Sequence, residues 1–190
     1  TQELPFRIPR LGVNAELLQY PLDELPHQFE LMVEANVVWV RQFVRWDETE
    51  PAPGHYQWKS WDAIVKTIAD YPQLHLVAVL GNTPTWARRD NAVDDPTSPP
   101  ADFEQFADFV FAFAERYGHA IHHYQVWDEP NILLGWGGDP PQAIDYTALL
   151  QTTYGAIHSA DRNATVIAAA LAPTVETGPD NISDITYLRE

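Results

Sequence analysis

The chain contains no cysteine among its 190 residues. That excludes disulfides, thiolate metal sites and a cysteine nucleophile, and it leaves the redox compartment open. Basic residues are scarce as well. Eleven Lys and Arg stand against 27 Asp and Glu, a formal charge of -16. Nucleic acid is therefore not expected as a partner, since phosphate contacts need clustered Lys and Arg. Nor does any stretch approach the ~18 consecutive apolar residues of a membrane span, so a soluble protein is expected and no membrane partner. What the chain has in quantity is apolar surface. Its residues are 45% hydrophobic and include seven tryptophans, ample for the core of one domain. Its compartment is undetermined: Asn163-Ala164-Thr165 and Asn181-Ile182-Ser183 are glycosylation sequons that matter only in a eukaryotic secretory route.

Five apolar runs read as strands: 11–15, 37–43, 74–80, 121–127 and 165–171. They are nearly continuous rather than alternating, which predicts strands covered on both faces. Helical periods lie between them. Phe103, Phe106, Val110, Phe113, Ala114 and Tyr117 recur at three and four residues, between Pro99-Pro100 and Gly118. Trp61, Ile64, Val65 and Ile68 form a second such face, with Ser60 as its expected N-cap. A third runs from Ala143 to Ile157, and a first helix surrounds Phe29, Met32 and Val33. Strand and helix alternating five times argue for a parallel sheet with right-handed crossovers. A dinucleotide-binding fold is the competitor, but no G-x-G-x-x-G follows the first strand and no Walker loop is present. The fold expected is an α/β, (β/α)8 TIM barrel.

The run from Tyr124 to Asn131, Tyr-Gln-Val-Trp-Asp-Glu-Pro-Asn, carries the most chemical information. It reads as a buried strand that ends in two carboxylates, with Pro130 stopping the ladder because it has no N–H. An α/β barrel keeps its chemistry at the carboxyl ends of its strands. Glu129 is the candidate proton donor. Successive residues of a regular strand point to opposite faces, so Asp128 and Glu129 share a cleft only if the strand end is twisted or bulged.

Three segments, in order, carry a family resemblance. The second strand and its loop read Arg41-Gln42-Phe43-Val44-Arg45-Trp46, then Glu50-Pro51 and Gly54-His55-Tyr56-Gln57-Trp58. Asn82-Thr83-Pro84-Thr85-Trp86-Ala87 follows the third strand, and Trp127-Asp128-Glu129-Pro130-Asn131 ends the fourth. This resembles clan A of the glycoside hydrolases, above all the β-xylosidase/α-iduronidase branch and its cellulase-like relatives. The resemblance implies a retaining O-glycoside hydrolase acting on a glycoside, oligosaccharide or polysaccharide, with no cofactor and no metal. Carried over residue by residue, it makes Glu129 the general acid/base. Arg41 would help hold the nucleophile's carboxylate, and Trp86 and Trp127 would shape the sugar site. The family has Asn where this chain has Asp128, and that Asn bonds the sugar 2-hydroxyl. Ionised Asp only accepts hydrogen bonds and adds a like charge beside Glu129.

The family's nucleophile is a second Glu at the end of the seventh strand, and residues 1–190 supply only about five β/α units. Eight units normally need ~250 residues. The chain is therefore expected to be the N-terminal portion of one barrel domain, apparently truncated. Its partner would be the remaining barrel segment, in cis or as a second chain. A non-catalytic carbohydrate-binding or scaffold domain on a degenerate barrel is the alternative. Among the remaining candidates, Trp136, in a glycine-rich loop, is placed to flank a sugar, with a core role equally open. Trp39 and Trp61 read as core. Asp47, Glu48 and Glu50 follow the second strand, with Glu50-Pro51 read as shaping the loop. His119, His122 and His123 straddle a helix end and a strand start, so they are not expected to converge on a metal.

Overall fold

The computed structural model describes residues 11–89 and 94–190. Five strands form one sheet in chain order, every neighbouring pair parallel. They are β1 (Leu11–Ala15), β2 (Val37–Arg45), β3 (His75–Gly81), β4 (His123–Val126) and β5 (Thr165–Ile167). The helices between them are α1 (Leu25–Glu34), the short α2 (Trp46–Thr49), α3 (Lys59–Ile68), α4 (Phe103–Tyr117) and α5 (Ala143–Ala160). The single turn α6 (Asp184–Tyr187) follows β5. This is part of a TIM barrel. Among the described residues, no helix is long and apolar enough to cross a membrane.

The two faces of the sheet differ, which corrects the expectation of strands covered on both. In β2, Val40, Gln42 and Val44 are buried while Trp39, Arg41, Phe43 and Arg45 are half-buried. The register extends the buried side into rows, Gln42 beside Ala78 beside Tyr124, and Val44 beside Leu80 beside Val126. Apart from the buried polar Gln42, these rows belong to the hydrophobic core that the helices complete. The other face carries Asn14, Arg41, His75, His123 and Gln125. Apolar runs thus hid an alternation, because Trp39 and Phe43 sit among polar residues on the less covered side.

The outer layer is aromatic. Trp46 packs on Phe106 at 5.4 Å and stacks on Phe109 at 5.6 Å, and Trp61 meets Phe113 edge-on at 5.0 Å. Trp61 is therefore core, whereas Trp39 lies on the inner face against His75 and His123. Helix α4 begins where Asp102 accepts a bond from the Glu104 N–H, the usual device for an orphan donor at a helix start. Ser60 does not cap α3. The Asp62 N–H bonds the Trp58 carbonyl, so the helix opens two residues earlier. The fifth strand is shorter than its apolar run, for a reason that lies in β4. Regular pairing stops after Gln125–Ile167, and only an isolated bridge from Asp128 to Ala170 continues it.

Truncating Phe109 to Ala should cost about 3–5 kcal/mol, because its ring is fully buried. The exposed Phe111 on the same helix should change stability by no more than about 0.5 kcal/mol when truncated. Urea denaturation of the two variants checks this; equal losses would contradict the assigned helix face.

Candidate active site

Strand β4 is extended as far as Val126, and then its backbone changes hand. Trp127 has φ 69° and Glu129 φ 48°. Positive φ is uncommon for side chains of this size and costs of order 1–3 kcal/mol at each residue. The alternation of a regular strand is broken there, and Trp127, Asp128 and Glu129 all line one cavity of about 390 Å³. The cavity lies at the carboxyl ends of β1 to β4, with Glu16, Phe43, Arg45 and Asn82 on its other walls. This is the distortion that two neighbouring carboxylates in one cleft require.

Surrounding bonds hold the distorted segment. The Trp127 N–H bonds the Leu80 carbonyl at 2.9 Å, and the Glu129 N–H bonds the Ala170 carbonyl at 2.8 Å. The Trp127 indole donates to the Gly135 carbonyl at 2.9 Å. Asn131 is fully buried, its amide bonding the carbonyls of Ala172 and Ile182 while its oxygen accepts from the Ala172 N–H. From α5, the Tyr146 hydroxyl donates to the Val126 carbonyl and accepts from the Ala169 N–H. Burial pushes that phenol up to about 12, so it remains a neutral donor at physiological pH.

Arg41 reaches Asp128 from β2. Its Nη2 lies 2.5 Å from Asp128 Oδ1, its Nε donates to Gln125 Oε1 at 3.0 Å, and its Nη1 donates to Asn14 Oδ1 at 3.2 Å. One guanidinium thereby ties the ends of β1, β2 and β4. Gln125 adds a bond to the same Asp128 oxygen at 3.1 Å. Arg45 is matched too, by Asp47 at 3.2 Å and Glu48 at 2.9 Å. The Asp47 carboxylate holds the Arg45 guanidinium above its usual range, against the opposing effect of burial.

The remaining sequence candidates separate. Trp127 is 2% exposed, with its accessible part on the cavity. Trp136 is 1% exposed, packed between the rings of Trp127 and Tyr146, and has no free face for a sugar. Its place in the core follows from Gly135 and Gly137, which bring the loop against Glu129 and Ser98 too closely for larger residues. Trp86 packs edge-on to Trp46 and donates to the Glu50 carbonyl at 3.0 Å; it is not among the side chains lining the cavity. Glu50 is buried, its carboxylate accepting from the Trp46 indole and the Gly54 N–H, so it shapes the loop. His122 pairs with Asp161 while His123 lies against Trp39, so the histidines point apart. Among the described residues, no group of three or more His, Asp or Glu could hold a metal ion. Glu16 was missed. It stands one residue beyond the end of β1, where strand alternation no longer fixes a side.

A larger hollow, about 700 Å³, lies near the amino end of β3 between α3 and α4. Its single acid, Asp62, is bonded by Arg116 and Tyr117. The convergent carboxylates are at the other end of the sheet, where barrel enzymes react substrates.

No protein-family model matches this chain, and no curated protein does. Solved structures do match. A family 39 glycoside hydrolase from the gut symbiont Bacteroides cellulosilyticus has a TM-score of 0.64 at 20% identity, over 83% of this chain and 30% of its own. A GH5_18 protein from Streptomyces cattleya, solved in complex with GlcNAc, has a TM-score of 0.66 at 15% identity, over 86% of this chain and 44% of its own. Endo-glycoceramidase II from Rhodococcus sp. has a TM-score of 0.61 at 18% identity, over 91% of this chain and 53% of its own. The likeness is to clan A glycoside hydrolases. At these identities it establishes the fold, a partial TIM barrel, and the chain spans roughly a third to a half of the structures it matches.

Gly135 supplies a test of how the segment is held. A Cβ there would overlap the Glu129 carbonyl oxygen and lie 2.7 Å from its carbonyl carbon. Gly135→Ala should therefore destabilise by about 1–3 kcal/mol, as overpacking does. Gly155, inside α5 with nothing within 4 Å of an added Cβ, should tolerate Ala and gain up to about 1 kcal/mol. Denaturant midpoints of the two variants decide; a neutral Gly135→Ala would mean that the loop does not press on Glu129.

Proposed function

We propose that this chain carries the acid/base half of a retaining O-glycoside hydrolase, with Glu129 as the acid/base. The observation that supports this most is the strained end of β4, which presents Glu129 to a cavity at the carboxyl end of a barrel-like sheet. Strain of that kind persists only where the surroundings enforce it, and it gathers at functional sites.

The chemistry needs two carboxyl groups about 5 Å apart on either side of the scissile bond. Glu129, protonated, gives its proton to the leaving glycosidic oxygen while a second carboxylate attacks the anomeric carbon. As the glycosyl intermediate is hydrolysed, Glu129 takes a proton from the incoming water and returns to its acid form. The second carboxylate belongs on a later strand, supplied in cis or by another chain. Arg41 has a role in receiving it. Of the five N–H donors of a guanidinium, three are bonded to Gln125, Asn14 and Asp128, which leaves two for the nucleophile. Asp128 accepts both of its bonds through Oδ1, so Oδ2 is left for the sugar's C2 substituent. Trp127 forms part of the sugar site's wall. Trp86 would contribute only from beyond the cavity lining, where a longer substrate extends. The substrate class is a glycoside, oligosaccharide or polysaccharide.

A non-catalytic carbohydrate-binding domain is the second reading. What favours it is the use of Arg41 on Asp128, a partner that the clan's usual Asn would not provide as a charge.

The test is Glu129→Gln in the complete protein, assayed on glycosides of graded leaving-group ability. Poor leaving groups need the proton and should lose about 10²–10⁴-fold; activated aryl glycosides should lose less in the glycosylation step. Equal losses would remove the acid role. Sugar binding without any hydrolysis by the unaltered protein would favour the second reading. Asp128→Asn should keep the bonds to Arg41 and Gln125 but lose the ion pair, lowering stability by about 1 kcal/mol or less, since both side chains are a fifth to a quarter exposed. A loss several times larger would show the pair to be far more desolvated than its exposure indicates.

A further inference from the structure

The end of β1 brings a third acid to the cavity, one that the motifs do not mark. Asn14 faces Arg41 across the inner side of the sheet, and Glu16, two residues on, lines the cavity together with Asp128 and Glu129. Its Oε1 accepts one bond, from Gln42 Nε2 at 3.2 Å. It is exposed to solvent, and among the described residues it forms no ion pair. The two guanidiniums nearby are already matched. Arg41 lies against Asp128, and Arg45 between Asp47 and Glu48, with the charge of Glu16 only a minor contribution to its environment. Among the described residues, the cavity therefore holds a carboxylate in no ion pair.

Resting on the hydrolase reading, we propose that Glu16 is a specificity-determining residue that ranks glycosides by charge: amino sugars first, neutral sugars next, uronides and sulfated sugars last. A neutral sugar offers hydroxyls, and a carboxylate accepts from them with a charge-assisted bond. An ammonium group adds Coulomb attraction, while a sugar carboxylate or sulfate brings like charge to a wall whose cations are occupied. At about 4 Å the Coulomb energy of such a pair exceeds thermal energy near a protein surface, so discrimination of about tenfold per charge is expected.

The experiment uses the complete protein with nitrophenyl glucoside, glucosaminide and glucuronide in both anomers, and compares kcat/KM ratios rather than single rates. The glucosaminide should exceed the glucuronide. Glu16→Gln should shrink that ratio about tenfold, and Glu16→Asp, which keeps the charge, should largely retain it. Raising the salt to ~1 M should shrink the ratio in the unaltered protein and leave Glu16→Gln nearly unaffected, because the Debye length falls to about 3 Å. A merely structural role would not respond to salt in that way. A uronide preference in the unaltered protein, or an unchanged ratio in Glu16→Gln, overturns the proposal. If nothing in the panel is hydrolysed, the hydrolase reading fails separately, and binding decides this one. NMR titration with glucosamine and with glucuronate should then show perturbation around Glu16 by glucosamine alone; equal responses, or a response to glucuronate only, overturn it.

Discussion

The left-handed turn of backbone at Trp127 and Glu129 is the constraint on which the candidate site depends. Left as a regular strand, β4 would point Asp128 and Glu129 to opposite faces. With Trp127 and Glu129 at positive φ, the carboxylates of Asp128 and Glu129 enter one cavity, and the Trp127 ring turns back so that its N–H meets the Gly135 carbonyl. The local cost is offset by bonds from every neighbouring element: Leu80 of β3, Ala170 beyond β5, Tyr146 of α5 and Arg41 of β2. The same departure shortens β5, because a strand cannot keep pairing with a neighbour that has left the extended conformation. Site geometry and sheet irregularity therefore have one cause.

The order of the elements was legible because their periods differ. The three- and four-residue spacing of Phe106, Val110, Phe113 and Tyr117 and the apolar run of β3 each admit one reading, and both appear within a residue or two of the expected bounds. Strand β5 was not legible to its end, since what stops it is the conformation of Trp127 rather than anything between Val166 and Leu171. Ser60 has the chemistry of a cap but not the position, which the backbone bond from Asp62 to Trp58 settles. Individual residues report propensity; termination belongs to their neighbours.

The site was legible in its chemical types more than in its pairings. Glu129, Asp128 and Trp127 lie together at the cavity, as the run before Pro130 suggested. That Arg41 would meet Asp128 could not be read, because 87 residues separate them and no alternation on one strand specifies a partner on another. Trp136 had two open readings, a sugar platform and a core residue, and the structure takes the second. An indole in a glycine-rich loop fits either reading from sequence, and here those glycines are what allow the loop close enough to bury it.

The pairing with Arg41 also changes what an Asp at position 128 means electrostatically. Considered alone, it is an added negative charge beside Glu129. With a guanidinium nitrogen 2.5 Å away, Glu129 faces a compact dipole, whose field falls off faster with distance than that of a single charge. The half-buried setting strengthens the attraction within the pair relative to bulk water. Losing Arg41 would leave the Asp128 charge on the cavity wall without its cation. Arg41 and Asp128 are therefore one structural unit. Its bonds reach Asn14, Gln125 and the strained end of β4 together, so one guanidinium and one carboxylate fasten the strand end that carries Glu129.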